Sequence, residues 1–201
     1  MTEATHPLKE KLKGYSLILG SGSPRRKKFL EEMGLDFEVR PMAVEEVYPE
    51  HLKGSEISDY LAKLKAAPFE QLLTSKEIVI TSDTVVWHNG TSLAKASNKE
   101  EAKHMLRLMS GDWHEVITSV CFTTVSNQKT AHAITQVKFK DFSNEELEFY
   151  IDTCSPFDKA GAYGIQEWIG MIGISEIKGS YTNVVGLPTH LVYKTLMELV
   201  S

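Results

Sequence analysis

The chain has 201 residues, enough for one substantial core, and its 42% apolar and 24% charged content is that of a soluble globular protein. A net charge of −5 argues against general nucleic-acid binding, and no apolar stretch approaches the length of a membrane span. Cys121 and Cys154 lie far apart, with neither metal-ligand spacing nor a disulfide framework, and read as ordinary thiols.

Residues 1–14 are polar and charged and read as a loose N-terminal tail. They lack the apolar core of a signal peptide, so a cytoplasmic protein is expected. Residues 15–201 read as a single domain, since no repeat or low-complexity linker divides them. Leu17 to Leu19 predicts a short buried strand, and Gly20 to Ser23 a tight small-residue loop. Ser23 and Pro24 suit the N-cap and first position of a helix, which Gly34 ends. Arg25 and Arg26 then fall in the first turn, where the helix macrodipole disfavours cations by about 0.3–1 kcal/mol each. A bound anion reverses that sign, because backbone N–H groups, serine hydroxyls and two guanidiniums converge on one phosphate-sized volume. The plain alternative is a solvated basic helix start continued by Lys27 and Lys28. Neither G-x-x-x-x-G-K-[ST] nor G-x-G-x-x-G is present.

Asp36–Arg40 predicts a second strand, and 42–54 an acidic loop holding Glu45 and Glu46. Ser55 is expected to cap a helix reaching about Leu73, shortened or kinked by Pro68, with Lys63 and Lys65 on it. Glu77–Trp87 has apolar residues on both sides of the pleat and predicts a central strand. Asp83 interrupts it. A carboxylate there is costly unless paired, hydrogen-bonded or metal-bound, or unless a bulge lets it reach water. Asn89-Gly90 predicts a hairpin turn leading to a returning strand over 92–95.

Ser97-x-x-Glu100 reads as a capping box opening a helix to Met109, with Ala102, Met105, Leu106 and Met109 inward. Two strands with period-2 character follow over 113–125 and 131–139, and Ser143-x-x-Glu146 predicts another capped helix to about Asp152. Lys159–Gln166 is a glycine-containing loop suited to close approach by a ligand, and Gln166 can read a nucleobase edge as donor and acceptor. Residues 168–177 are expected to return to the sheet, 181–185 to form a short strand or turn, and Leu187-Pro188 to start a final helix. That helix would face inward through Leu191, Leu196 and Val200. The mixture argues for an α/β domain with a mixed twisted sheet flanked by helices. A cleft between two lobes would place Ser21–Arg26 opposite Asp83 and Gln166.

Ser21-Gly-Ser-Pro-Arg-Arg26 after a first strand resembles the Maf family of nucleoside triphosphate pyrophosphatases. So do Ser82-Asp-Thr-Val-Val86 with Leu93-Ala-Lys95, Leu106 through Thr118, Asp158 through Gln166, and Gly179 through Pro188. The order is kept over 16–197. The resemblance implies an inosine-triphosphatase-like fold, frequent homodimers, and hydrolysis of a nucleoside triphosphate to monophosphate and pyrophosphate with Mg²⁺ or Mn²⁺. It implies that Ser21, Arg25 and Arg26 hold the triphosphate, and that Lys65 and Lys95 contact phosphate or the cleft. Glu46 would lie near the metal, and Asp83 would be general base or metal ligand. Arg25, Thr84 and Gln166 match positions linked to substrate choice, and Ala-Tyr-Gly-Ile-Gln resembles the subgroup acting on dTTP and UTP. Modified pyrimidine nucleotides fall within that reading. The rivals are a 7-methyl-GTP pyrophosphatase and a nucleotide-binding cell-division regulator without useful turnover. Ala96 departs from the proline that is common in the family after the lysine.

Overall fold

A computed structural model of the chain describes residues 5–200. The elements run α1 (Pro7–Lys11), β1 (Ser16–Leu19), α2 (Pro24–Glu32), β2 (Glu38–Val39), α3 (Ser55–Ala66), β3 (Glu77–His88), β4 (Thr91–Leu93), α4 (Lys99–Met109), β5 (Trp113–Thr123), β6 (Gln128–Phe139), α5 (Asn144–Cys154), α6 (Trp168–Gly173), β7 (Ile174–Lys178), α7 (Tyr181–Val185) and α8 (Thr189–Leu199). The seven strands form one mixed sheet in the order β2-β1-β3-β5-β6-β7, with β4 also on β3. β1 is parallel to β2 and β3, and the other pairings are antiparallel. Among the described residues, no helix is long and apolar enough to cross a membrane.

The long strands β3 and β5 join two cores. At one end Ile78, Ile80, Val120 and Phe122 pack with β1, α2 and α8 through Leu17, Leu19, Leu30, Val192 and Leu196. At the other end Val86 and Val116 pack with α4 and α5 through Leu106, Met109, Leu147 and Tyr150. Between them β3 turns polar at Thr81, Ser82, Asp83 and Thr84, in register with Cys121, Val120, Ser119 and Thr118 of β5. One edge of β3 is open there. β1 leaves after Leu19 pairs with Ile80, and β4 joins only where Val86 pairs with Leu93. Among the described residues, 81–85 therefore pair with β5 alone. Asp83 sits on this edge without a bulge or break, paired with Ser119.

Several expectations are corrected. Residues 1–4 lie outside the described residues, but 5–14 are not a loose tail. Leu8 is fully buried in the core under α8, His6 Nε2 bonds the Met33 carbonyl at 2.9 Å, and His6 Nδ1 accepts from Lys9 N–H at 3.2 Å. α3 ends at Ala66 and passes into a 3₁₀ turn at Ala67–Phe69, because Pro68 has no N–H to continue the helix. Its N-cap position is Gly54, and Ser55 is already helical. The cap of α4 is Asn98, whose side chain accepts from Glu101 N–H at 2.9 Å, while Glu101 bonds Ser97 in return. The cap thus moves one residue onward, and the reciprocal bond of a capping box does not form, because Glu101 accepts from Ser97 and not from the Asn98 N–H.

β2 spans two residues only, as suits an exposed sheet edge. Residues 168–177 divide into α6 and β7. Ile169 and Gly173, four apart, form the buried face of α6, and a side chain at Gly173 would collide with Phe142. Residues 181–185 are helical, and the inward face of α8 is Val192, Thr195 and Leu196. The hairpin at Asn89-Gly90 and the Ser143/Glu146 box form as expected.

Leu8→Ala should lower stability by about 2–5 kcal/mol, the range for emptying a buried leucine site. Urea unfolding measures it, and a change near zero would mean that the segment is not part of the core.

Candidate active site

β1 delivers the chain to the open edge of β3. Gly20 N–H bonds the Ile80 carbonyl at 2.9 Å, and a Cβ on Gly20 would come within 2.8 Å of Thr81 and 3.0 Å of Phe69. Only a glycine lets the chain turn this close to β3. Ser23 then occupies the N-cap position of α2 but makes no side-chain cap bond, and the first turn holds no acid. Arg25 and Arg26 project from that turn, at the carboxyl end of a parallel strand. This is where ligands bind in open α/β sheets.

The cleft along this edge has a volume of about 500 Å³, within the range of small-molecule sites. All nine residues singled out from the sequence line it: Ser21, Arg25, Arg26, Glu46, Lys65, Asp83, Thr84, Lys95 and Gln166. Asp158 and Lys159 line it too, so five cationic side chains face three carboxylates in a protein of net charge −5. The site is locally positive, as an anionic ligand requires.

Asp83 is 7% exposed. α3 lies on its face of the sheet and presents Lys65, whose Nζ donates to Asp83 Oδ1 at 2.6 Å and reaches Glu46 Oε1 at 3.0 Å. Lys95 Nζ approaches Glu46 Oε2 at 3.7 Å. Burial pushes the Asp83 carboxyl above its ordinary value, against the pull of Lys65 and Arg26. Burial also pushes Glu46 upward, but its bond to Lys65 and the charges of Lys65, Lys95 and Arg26 outweigh it, so Glu46 falls below its ordinary value. Two neighbouring carboxyls are thereby driven apart, the usual preparation for different roles.

On the opposite face of β3, Arg26 is held at three points. Nε donates to the Gly186 carbonyl at 2.9 Å, Nη1 to Ser21 Oγ at 3.2 Å and Nη2 to Thr84 Oγ1 at 3.2 Å. Burial lowers its pKa below the ordinary guanidinium value, opposed chiefly by Asp83. The chain of bonds continues from Thr84 to Thr118 at 2.9 Å and from Thr118 Oγ1 to the Asn183 carbonyl at 2.9 Å. Asn183 Nδ2 donates to the Val116 carbonyl and to Thr135 Oγ1, each at 2.9 Å. Arg25 is the more exposed arginine and pairs with Asp158 across the cleft mouth at 3.0 Å. The Lys95 backbone bridges Ala160, and Ala96 is buried, so this loop is tied down without a proline.

Sequence reasoning did not single out Asp158, Lys159, Thr118 or Asn183. Lys159 opens the glycine-containing stretch and Asp158 immediately precedes it, and there only Gln166 drew notice. Asn183 has no local signal, because its partners are 48 and 67 residues away.

Fold and cleft together define an α/β protein built around a cationic pocket at a strand's carboxyl end. The solved structure of the Staphylococcus aureus Ham1 protein aligns with a TM-score of 0.54 over 92% of this chain and 99% of that one, at 14% identity. The Maf-like protein family matches residues 16–199. The chain belongs to the Maf family. A relative from Flavobacterium johnsoniae named dTTP/UTP pyrophosphatase is 53% identical over 193 residues, 96% of this chain and 100% of its own. Another of that name, from Flavobacterium psychrophilum, is 51% identical over 191 residues, 95% of this chain and 98% of its own.

Proposed function

We propose that this protein is a nucleotide pyrophosphatase that hydrolyses dTTP and UTP, with modified pyrimidine nucleotides as further substrates, to the monophosphate and pyrophosphate. The observation that carries the reading is the cleft itself: a buried carboxylate of raised proton affinity, ringed by cations, with a neutral amide donor and acceptor at Gln166. The relatives' shared name supplies the base and the bond cleaved.

The chemistry follows from the charges. A water oxygen attacks the α-phosphorus, the bond from that phosphorus to the bridging oxygen breaks, and pyrophosphate leaves. Asp83 takes the water's proton; Lys65 occupies Oδ1 and leaves Oδ2 as acceptor. Arg25, Arg26, Lys65 and Lys95 balance the charge on the leaving group, and Ser21 adds a hydroxyl. Arg25 exchanges Asp158 for phosphate. Arg26 cannot move without breaking three bonds, so it acts as a fixed charge. Thr84 and Gln166, with Arg25, select the nucleotide.

A divalent cation fits this donor set. Asp83 and Glu46 already converge on one ammonium, and hard oxygen ligands suit Mg²⁺ or Mn²⁺. Among the described residues, no group of three or more His, Cys, Asp or Glu could hold a metal ion. Glu46 would therefore hold it together with substrate oxygens and water, with Asp83 joining where its Oδ2 serves as ligand instead of as base. Such an ion supplies charge neutralisation and acidifies water. We place the protein in the cytoplasm as a homodimer, acting on free nucleotides rather than on nucleic acid or membranes.

Pyrophosphate release from dTTP, UTP, CTP, 7-methyl-GTP and the common purine triphosphates tests the reading. Preference for dTTP and UTP is expected. Preference for 7-methyl-GTP would overturn the base and keep the chemistry, and binding without release would favour the regulator. Chelation should abolish release, with recovery on adding Mg²⁺ or Mn²⁺; undiminished release would remove the cation. Asp83→Asn should cut kcat by about 100- to 10,000-fold, as expected for loss of a general base, while nucleotide still binds. Near-normal kcat would remove Asp83 from the chemistry.

A further inference from the structure

Gln166 stands on a loop, and loops alone hold side chains poorly. A reader of base edges must be held closely, because hydrogen bonds weaken steeply with distance and angle. What fixes this loop is a side chain from a different element. Tyr150, on α5, is fully buried, and its hydroxyl stands between the two ends of 164–167. It accepts from Gly164 N–H at 3.0 Å and donates to Glu167 Oε2 at 2.5 Å. The other oxygen of Glu167 meets Lys159 Nζ at 2.9 Å. Lys159 is only 10% exposed and also bonds Asp158, the partner of Arg25. One continuous set of contacts therefore runs from α5 through the loop to the cleft mouth.

Gly164 shows how tightly this is closed. A Cβ there would lie 2.8 Å from the Glu167 carboxyl carbon and 2.9 Å from Gln166 Nε2. The amide of Gln166, an exposed side chain, thus lies over the same small volume that the Tyr150 hydroxyl and the Glu167 carboxylate bound. Tyr163, earlier in the loop, is pinned separately to His114 at 2.7 Å. The 164–167 end is set by the Tyr150 contacts together with a turn bond from Glu167 N–H to the Gly164 carbonyl at 3.0 Å.

We propose that Tyr150 and Glu167 are positioning residues for nucleotide choice, a buried fork that holds Gln166 where it meets the base without touching substrate themselves. The inference rests on the reading of Gln166 as a base-contacting residue. It predicts a particular kinetic signature. Among the described residues, the bonds of the fork reach Lys159 directly and Arg25 only through Lys159 and Asp158, not Asp83, Lys65 or Arg26, so its loss should weaken recognition of the preferred base and spare the chemical step.

The test compares the wild type with Tyr150→Phe and Glu167→Gln, measuring KM and kcat for dTTP, UTP, CTP and 7-methyl-GTP. Tyr150→Phe keeps the packed ring and removes both loop bonds. Its KM for dTTP and UTP should rise about tenfold, as for loss of a hydrogen bond or two, with kcat falling by less than about threefold. Selectivity over 7-methyl-GTP should fall by about the same tenfold. Glu167→Gln keeps an acceptor for Tyr150 but loses the charge facing Lys159, so it should shift in the same direction by about threefold. Unchanged KM and selectivity, or an equal loss of kcat on every nucleotide, would overturn the fork. If Tyr150→Phe fails to fold, Glu167→Gln carries the same comparison.

A wild type preferring another base would overturn the dTTP/UTP reading alone, since the fork is still scored by whether the variants flatten that other preference. A wild type that binds without turnover is scored by the same ratios in Kd from calorimetry. A wild type that binds no nucleotide overturns both.

Discussion

Asp83 places a carboxylate, 7% exposed, in a strand that also runs through two apolar cores. Removing such a group from water costs several kcal/mol in a protein interior even after relaxation, and it persists only when paired. The fold meets that cost in two ways. β3 is left unpaired on one edge between Ile80 and Val86, so Asp83 borders a cleft. α3 brings Lys65 to 2.6 Å, and Lys65 in turn shares its charge with Glu46. The site is thus a consequence of where β1 stops and β4 starts. Were β1 longer by a few residues, a neighbouring strand would fill the edge that the cleft now occupies.

The cations around it obey a similar economy of position. Arg26 is half-buried and satisfied by a carbonyl, a serine and a threonine, so its charge needs no reorganisation when an anion arrives. Its threonine partner leans on Thr118 and thence on Asn183, which crosses to β5 and β6. A residue on α7 therefore steadies a guanidinium on α2 through two strands. Arg25, Lys95 and Glu46 are more exposed, and they are free to exchange partners.

The parts of this site that could be read from sequence are those with a local contradiction. Asp83 breaks an apolar run, and Arg25 and Arg26 sit at the wrong end of a helix. Each is unfavourable alone and sensible beside a ligand. Lys65, Glu46 and Lys95 carry no such contradiction. A lysine on a helix and a glutamate in a loop are ordinary surface residues, and only resemblance to a family singled them out. The segment at 181–185 misled through its β-branched residues, because the bonds of Asn183 to β5 and β6 override local preference. The tail was misread for a like reason: one leucine and one histidine, Leu8 and His6, anchor it to distant groups.

Tyr150 shows the same blindness at the other end of the cleft. In sequence it is one more aromatic on an amphipathic helix, and its partners Gly164 and Glu167 lie 14 and 17 residues onward. Its hydroxyl makes the α4–α5 core responsible for the loop that bears Gln166. The phosphate-facing groups instead hang from the open edge of β3, from α2 and from α3. The two ends of the cleft are therefore held by different packing units, joined at the mouth by the Arg25–Asp158 pair. A substitution that repacks α5 can move the base-facing amide while Asp83 and Lys65 stay where the sheet holds them. On the proposed roles of Gln166 and Asp83, base choice and bond cleavage are mechanically separable in this architecture.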